Sequence, residues 1–382
     1  MHFSHILRSK KNILSIAFAL FLTFFSLNVS ALEGPVAEET AQAHAKETER
    51  KKEFDISTFI LHHIADAHAF HLWGEGEHSV GIPLPVILWT ENGPAAFMSS
   101  EFHHDNEGKV VVERGGQRFV NIHEKIYIAS PEANEHGVFA EVNARHEVAN
   151  KQPLDFSITK NVFTLIFSSV ILAIVFIRVA KAYGKRSGKS PKGFQSLMEP
   201  VILFIRDEVA IPNLGSKFER FMPYLLTIFF FIWFNNLLGM VPFFPGGANL
   251  TGNINLTFVL ALLTFIITTA NGNKYYWSHI FKPHVPWWLY PLMIPVEIIG
   301  IFTKPIALMI RLFANITAGH ILVLALLCLI FVFKSIFVAP VSVLFVVFIS
   351  LIELLVGAIQ AFIFTVLTAL FIGLAIEEHG EH

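Results

Sequence analysis

The sequence predicts an all-α multi-pass membrane protein with about five membrane helices and a small N-terminal extramembrane domain. Hydrophobic residues make up 53% of the 382 residues and charged residues only 15%, whereas soluble domains carry about 25% charged residues. The mean hydropathy is +0.56, and the longest apolar runs follow residue 155. The formal net charge of −2 suggests no nucleic-acid partner, and the single cysteine, Cys328, rules out an intrachain disulfide.

Residues 1–31 have the three parts of a secretory signal peptide. Three cations precede an apolar run of 15 residues (13–27), and small residues follow up to Ala31. The apolar run is shorter than a membrane span needs. We therefore expect cleavage after Ala31, with a retained anchor as the alternative, and an N-terminus exported from a bacterial cytoplasm.

Residues 32–155 are expected to form a small periplasmic extension rich in histidine. The segments 86–90 (VILWT), 109–120 (KVVVERGGQRFV) and 125–129 (KIYIA) alternate in polarity and carry turn residues, which indicates strands and hairpins. The segment 81–88 is expected to pack locally or against neighbouring subunits.

Ten histidines lie between residues 62 and 146 of this extension. The stretch HHIADAHAFH (62–71) can present imidazoles on one side of a helix and so bind zinc. It can equally form an exposed, pH-responsive surface. Its spacing matches no known ligand pattern, so we predict neither a metal nor a cofactor.

The membrane region is predicted at 156–382. Its apolar runs are 161–177, 221–241, 254–270, 291–333 and 335–376. The first three each suit a hydrocarbon core of about 30 Å. The last two are about twice as long as this core, so they must be strongly tilted or broken, with Pro305 and Pro340 as candidate breakpoints.

The distribution of cations predicts the orientation in the cell inner membrane. The loop after the first run carries Arg178, Lys181, Lys185, Arg186, Lys189 and Lys192. Lys274 and Lys282 follow the third run, and the loop 242–255 has no Lys or Arg. By the positive-inside rule the first and third loops are cytoplasmic, as is the C-terminus. The amphipathic stretch 194–211 is expected along the cytoplasmic surface.

Five polar residues stand out in the last two apolar runs: Arg311, Asn315, His320, Glu353 and Gln360. A central Arg or Glu costs about 2.5–3.5 kcal/mol on insertion scales, so these positions are functional candidates. A purely structural ion pair between Arg311 and Glu353 is the simplest alternative. It leaves the other three residues unexplained.

Helical phase places these residues on two faces. Asn315 lies about 40° from Arg311, whereas His320 lies about 180° from it. Gln360 and Glu353 share one face of the last run, about two turns apart. An antiparallel pairing of the two runs can hold Arg311 near Gln360 and His320 near Glu353. One face of the helix pair then carries a fixed cation, and the opposite face carries titratable groups that line a water-accessible path.

Three stretches in this order resemble subunit a of the F-type ATP synthases: FNNLLGMVPFFP (234–245), KPIALMIRLFANITAGHILV (304–323) and QAFIFTVLTALFIGLAIEEH (360–379). The resemblance extends over about 155–379. It implies tilted helices, including a long hairpin, that clasp the c-ring, and a stator subunit that conducts protons through two offset half-channels. The implied partners are the c-ring, subunit b of the peripheral stalk, the F1 catalytic sector, lipid and protons. The chain has no phosphate-binding GxxxxGK[ST] loop, so the subunit is expected to be non-catalytic.

The resemblance also implies roles for individual residues. Arg311 matches the essential arginine that acts as the proton gate, Gln360 the glutamine beside it, and Asn315 a nearby polar position. His320 stands where many bacterial members have Glu, and Glu353 where they have His, so the pair is exchanged but keeps one acid and one imidazole.

The resemblance also assigns further residues to the two half-channels. Glu297 matches a carboxylate near the cytoplasmic half-channel. Asn253 and Asn255 are expected with His320 and Glu353 on the outer path. Asn236 replaces an Asp of some members, which removes a titratable group.

A proton- or metal-coupled secondary transporter with a His-rich external domain is the competing interpretation. It explains the outer histidines and the ionisable membrane residues, but not the order of the three stretches. The sequence also has no duplicated half with inverted hydropathy, which is common in such transporters. A structural stator anchor, the third possibility, leaves Arg311 without a purpose.

Overall fold

Helices make up nearly all of the described chain after residue 159. The computed structural model describes residues 60, 63–73, 80–134, 137–141, 148–185, 192–241, 244–282, 285–333, 335 and 337–377. The predicted signal peptide lies outside these residues. The helices of the described part are α1 (Lys160–Lys185), α2 (Phe194–Phe204), α3 (Ile211–Leu214), α4 (Phe218–Gly239), α5 (Ile254–Ala270), α6 (Lys274–Phe281), α7 (Tyr290–Phe333) and α8 (Val338–Ile376).

Four helical segments of the described residues are long and apolar enough to cross a membrane. They are Lys160–Tyr183, Phe194–Gly239, Tyr290–Phe333 and Val338–Ile376. Helices α5 and α6 are bent by 101° relative to each other, and they bring the number to five if the pair is one span. This confirms the prediction of a multi-pass membrane protein with about five membrane helices.

The two long helices, α7 with 44 residues and α8 with 39, are unbroken. The prediction of a break at Pro305 is therefore wrong. The side chains of Leu308 and Leu312, one and two turns after Pro305, are fully buried, and their packing stabilises this stretch against the loss of one backbone hydrogen bond. Pro340 lies in the first turn of α8, where its missing N–H costs no helical bond. Lengths of about 66 and 58 Å then require a strong tilt in a bilayer.

The segment before α4 is separated from it by a 3-10 turn at Gly215–Lys217, where Gly215 has a φ of 56°. Residues 205–210 form a π-helical turn between α2 and α3, and Ile205, Val209 and Ala210 are completely buried in the membrane core. The predicted stretch 194–211 thus belongs to the helical segment Phe194–Gly239, which is long and apolar enough to cross a membrane. Its position along the membrane surface stays a prediction.

The region before α1 contains short antiparallel strands, which confirms the strands and hairpins expected there. These are β1 (Ala69–Trp73), β2 (Val80–Pro83), β3 (Pro85–Thr90), β4 (Gly93–Met98), β5 (Val112–Arg114), β6 (Gln117–Ile122), β7 (Lys125–Ile128) and β8 (Leu154–Asp155). They form the sheets β1-β2, β4-β3-β8 and β5-β6-β7. Val86, Leu88 and Phe119 are fully buried between them. The segment 81–88 thus packs locally.

The histidine-rich stretch 62–71 does not form one helix. Helical structure ends at Ile64 and β1 begins at Ala69, so the proposed one-sided array of imidazoles is wrong. The described residues contain no group of three or more potential metal ligands. His63, His103 and His104 are exposed, but His68 is buried.

His68 contacts a carboxylate at the end of the outer domain. Its Nε2 lies 3.2 Å from Oδ2 of Asp155. Burial is the largest influence on the pKa of Asp155 and raises it, but hydrogen bonds from His68 and Ser157 outweigh burial and hold the pKa below its usual value. Asp155 is therefore ionised at neutral pH and suited to orient the imidazole.

The start of the outer domain caps the first membrane helix. The Asp66 carboxylate accepts hydrogen bonds from the backbone N–H of Asn161 (3.1 Å) and from the Thr159 hydroxyl (2.9 Å). The Lys160 ammonium donates to the carbonyl of His63 (3.0 Å), and its backbone N–H to the carbonyl of Ala67 (2.9 Å). Asp66 thus satisfies an N–H that would lack an intrahelical partner.

Replacing Asp66 with alanine is expected to loosen this junction by about 1–2 kcal/mol, the usual cost of losing a helix N-cap. Proteolysis between the outer domain and α1 is then expected to accelerate about 5–30-fold, because cleavage follows the population of the open state. Asp66→Asn keeps one acceptor and is expected to lose less. Glu132→Ala changes an exposed acid of the same domain and is the control. Equal cleavage rates for Asp66→Ala and this control would contradict the capping role.

Candidate functional site

Helices α7 and α8 meet through polar side chains inside the membrane region. His320 Nδ1 lies 3.0 Å from Glu353 Oε1. On one side of this pair, the Asn315 amide donates to Gln360 Oε1 at 2.9 Å. On the other side, the Ser342 hydroxyl contacts the carbonyl of Leu326. The partner number on α8 falls as the number on α7 rises, so the helices are antiparallel where they touch. The structure therefore brings His320 and Glu353 together, and places Gln360 beside Asn315.

Two glycines allow the helices to come this close. A Cβ atom on Gly319 would lie 3.2 Å from Glu353 Oε1, and one on Gly357 would lie 3.1 Å from Cβ of Asn236 on α4. Both distances are shorter than ordinary van der Waals contact, so a side chain at either position would require its neighbour to move by a few tenths of an ångström. The absence of a side chain at Gly319 leaves room for the Glu353 carboxylate beside His320.

The His320–Glu353 pair borders a small polar cavity with room for about one water molecule. The side chains of the pair are only 16% and 9% exposed. The complete lining is Asn235, Asn236, Gly239, Met240, Asn249, Thr251, Ile316, His320 and Glu353. An acid, an imidazole and several amide and hydroxyl groups thus share one enclosed space, which is the composition that a short proton relay needs.

A hydrogen-bonded chain fixes the wall of this cavity. The Thr251 hydroxyl donates to Asn236 Oδ1 at 2.5 Å, and the Asn236 amide donates to the carbonyl of Gly357 at 3.0 Å. The Thr317 hydroxyl donates to the carbonyl of Gly252 at 3.3 Å. These bonds connect α4, α7 and α8 to the turn before α5. Asn236 stands where some family members have an acid, which left its role open. In the structure it connects the turn before α5 to α8 through its two hydrogen bonds.

Arg311 lies on a different side of α7. It is exposed, while the adjacent Leu312 is completely buried. Within the part of the chain that the structure describes, Arg311 has no hydrogen bond or ion pair. Glu353 is bonded to His320 instead, so the structural ion pair between Arg311 and Glu353 is not formed. The exposed residues around Arg311 include the small side chains Ala307, Ala314 and Ala318, which leave space for a large partner.

Gln360 lies one layer inside this surface. It is 2% exposed, its Oε1 accepts from Asn315, and its Nε2 is buried without a partner among the described residues. A buried N–H group without a partner costs about 1–3 kcal/mol. Both N–H donors of the amide are therefore unpartnered among the described residues, and a water molecule or a small movement of the side chain would be needed to satisfy them.

Glu297 forms a second, looser acid–imidazole pair. Its Oε2 lies 3.9 Å from Nδ1 of His279 on α6, and the two side chains are 30% and 61% exposed. This distance suits one bridging water rather than a direct hydrogen bond. The sequence interpretation named Glu297 but missed His279, because the 101° bend between α5 and α6 brings His279 to this position.

Asn253 and Asn255 lie beside the cavity lining, not in it. Asn253 caps α5, and its Oδ1 accepts from the backbone N–H of Asn255 at 2.9 Å. The cavity instead receives Asn249 and Thr251 from the preceding turn. Sequence reasoning missed these two and Asn235. Asn249 and Thr251 stand beside an apolar run, whereas Asn235 lies inside the run 221–241 and the stretch 234–245, which could have indicated it.

Comparisons with known proteins show the family of the membrane region. A family model described as ATP synthase A chain matches residues 162–373, more than half of the chain. A second model, described as a domain of unknown function (DUF8433), matches residues 59–156.

Similar curated proteins bear the name ATP synthase subunit a. The relative from Chloroherpeton thalassium is 49% identical over 234 residues, which cover 59% of this chain and 69% of the relative. The relative from Myxococcus xanthus is 44% identical over 242 residues, which cover 60% of this chain and 77% of the relative. With four to five membrane helices and a matching family model, the chain belongs to the ATP synthase A chain family, that is, to subunit a of the F-type ATP synthases.

Proposed function

We propose that the chain is the stator subunit that guides protons to and from the c-ring of the Fo sector through two offset half-channels, with Arg311 as the gate between them. One observation carries this proposal. Arg311 is exposed on one side of α7 without an ion pair among the described residues, while the buried His320–Glu353 pair borders a cavity elsewhere on that helix. A cation on the outer surface and a titratable pair inside are what a gated proton path requires.

Arg311 acts as an electrostatic gate. A rotor carboxylate can face lipid only in its neutral form, because an ionised carboxylate in hydrocarbon is far too costly. Near the guanidinium the ionised form is favoured, so the carboxylate releases its proton there. The guanidinium itself does not deprotonate in proteins. It therefore cannot pass a proton from one half-channel to the other.

The outer half-channel leads through the cavity. A proton that reaches the polar wall formed by Asn249, Thr251 and Asn236 is handed to the His320–Glu353 pair and then to the rotor. Asn253 and Asn255 remain candidates for the approach to the cavity. Gln360, which is bonded to Asn315 one turn of α7 after Arg311, is assigned the role of the glutamine beside the gate.

The cytoplasmic half-channel ends near Glu297. Lys304 lies two turns further along α7 and has its Nζ 5.6 Å from the centre of the Phe371 ring, which suits a cation at the wet end of a helix bundle. The transmembrane potential drives the transfer with about 2.3 kcal/mol per charge per 100 mV.

The remaining proposals concern topology and assembly. We assign residues 1–31 to a signal peptide, 32–155 to a periplasmic domain and 156–382 to the membrane domain, with the C-terminus in the cytoplasm. The long helices α7 and α8 clasp the c-ring, and subunit b and the F1 sector join the assembly around them.

Purification of the tagged chain from its native membrane tests the assembly. It is expected to leave the membrane together with a c-ring and a catalytic head, and vesicles containing this complex are expected to acidify when ATP is added. A transporter would purify alone or as a small oligomer. Recovery without an ATPase or a ring subunit would contradict the proposal.

A further inference from the structure

The outer domain touches the membrane region through a closed cluster of three aromatic rings. Phe70 comes from β1, Phe163 from α1, and Phe244 from the segment that follows α4. The ring centroids are 5.5 Å apart for Phe70–Phe163, 5.2 Å for Phe70–Phe244 and 5.5 Å for Phe163–Phe244. The first two pairs are edge-to-face, an arrangement that aromatic rings favour. Each ring therefore contacts both of the others.

The position of Phe70 is set by the polar contacts next to it. Asp66 caps α1, and Lys160 is bonded to the backbone of His63 and Ala67. These contacts attach the start of the outer domain to α1 within one turn of Phe163. Phe70 is only 6% exposed. It is thus held by its own domain and by α1, and it presents one edge to Phe244.

Phe244 begins the segment that builds one wall of the cavity. Within 244–253 the residues Ala248, Leu250 and Thr251 are almost completely buried. Asn249 and Thr251 line the cavity beside His320 and Glu353. The same short segment therefore has the aromatic contact to the outer domain at one end and the cavity wall at the other.

We propose that the outer domain is a brace for this segment: Phe70 holds Phe244 and thereby fixes Asn249 and Thr251 against the His320–Glu353 cavity. The inference rests on the proposed role of that cavity in the outer half-channel. It assigns a function to the region 59–156, which matches a family model without one. The domain positions groups of the proton path and exchanges no proton itself.

The physical reason lies in the geometry that a proton relay needs. Transfer between groups requires heavy atoms within hydrogen-bond reach, so a displacement of one wall slows it. The Thr251–Asn236 bond of 2.5 Å survives only if the segment keeps its position. Removing the Phe70 ring leaves Phe244 with only one of its two ring contacts in this cluster, that with Phe163, and the segment gains conformational freedom.

The test combines Phe70→Ala with Asn249→Cys in the purified, intact complex. A maleimide reagent reports how often the new thiol becomes accessible, and Cys328, which is 1% exposed, provides the background. Phe70→Ala is expected to raise the labelling rate about two- to tenfold, the factor that the loss of one aromatic pair contact corresponds to. Without the added cysteine, it is expected to slow ATP-driven proton pumping by a similar factor.

Matched variants separate bracing from general damage. Trp89→Ala removes a ring that is 57% exposed on the same domain and is expected to change neither rate. Phe70→Leu tests the contact if the alanine variant fails to fold. Phe244→Ala removes the same contact from the other side, so the effects of Phe70→Ala and Phe244→Ala on pumping are expected to be non-additive.

Two results would overturn the brace: rates for a folded Phe70→Ala variant equal to those of Trp89→Ala, or additive effects of the two phenylalanine variants. The labelling rate reports on the brace alone. Pumping by a variant without His320 and Glu353 reports on the proposed function alone, so a failure of either proposal can be recognised separately.

Discussion

Replacing Arg311 with alanine is expected to abolish ATP-driven acidification of inverted vesicles while the complex remains assembled. The guanidinium favours the ionised rotor carboxylate, and an opposite charge at close range changes such an equilibrium about ten- to thousandfold. Without it the carboxylate keeps its proton at the interface, and coupling between rotation and proton transfer is lost. Arg311→Lys is expected to be nearly as damaging, because an ammonium group can lose its proton when desolvated and lacks the fixed planar geometry.

Arg206→Ala provides the control for this experiment. Arg206 is also an arginine of the membrane region, with a side chain that is 43% exposed, but it is bonded to its neighbour Asp207 at 2.7 Å. Its removal is expected to leave pumping near the wild-type rate. Assembly is checked by the amount of ring subunit that purifies with each variant. Normal acidification by Arg311→Ala at equal assembly would mean that Arg311 is structural, and the proposed gate would have to be abandoned.

Exchanging His320 and Glu353 is expected to restore much of the activity that each single exchange removes. Glu353→His places two imidazoles side by side, and His320→Glu places two carboxylates at a separation of about 3 Å, where both cannot ionise. Each single variant is expected to pump roughly tenfold more slowly or worse, because an acid–base pair no longer spans the cavity. The double exchange recreates one acid and one imidazole, the order that many bacterial members have.

Acidification rates of the four proteins form a double-mutant cycle that measures the coupling. A strongly positive coupling is expected, with the double exchange faster than either single variant. His320→Ala together with Glu353→Ala is the complementary variant, for which slow or absent pumping is expected. Full-rate pumping by the double alanine variant would exclude a role of the pair in the proton path.

The sequence identified the polar residues of α7 and α8, because an ionisable group in an apolar run stands out against its surroundings. Helical phase alone separated Arg311 from His320, since nine residues make two and a half turns and so place the two side chains on opposite faces. It also paired His320 with Glu353, which lie 3.0 Å apart in the structure. Local periodicity therefore sufficed for this pair, since both residues lie on regular helices.

Helical periodicity did not identify the site residues that lie in turns. Asn249 and Thr251 reach the cavity from an irregular segment, whose path no periodicity describes, and the sequence instead favoured Asn253, which caps α5. His279 approaches Glu297 only because the chain bends between α5 and α6. The expected break at Pro305 failed for a related reason, since tertiary packing of neighbouring side chains outweighs a local helix-breaking preference.

By itself, the sequence determined that the chain is a multi-pass membrane protein, which family it belongs to, and which residues carry charge within the apolar runs. These properties depend on composition, on periodicity and on the order of short motifs, all of which are local. Only the tertiary structure decided that Arg311 lies at the surface, that Gln360 is buried beside Asn315, and that Phe70 of the outer domain contacts Phe244. These depend on how distant segments pack, and close approaches such as that at Gly319 arise from side-chain volumes on several helices at once.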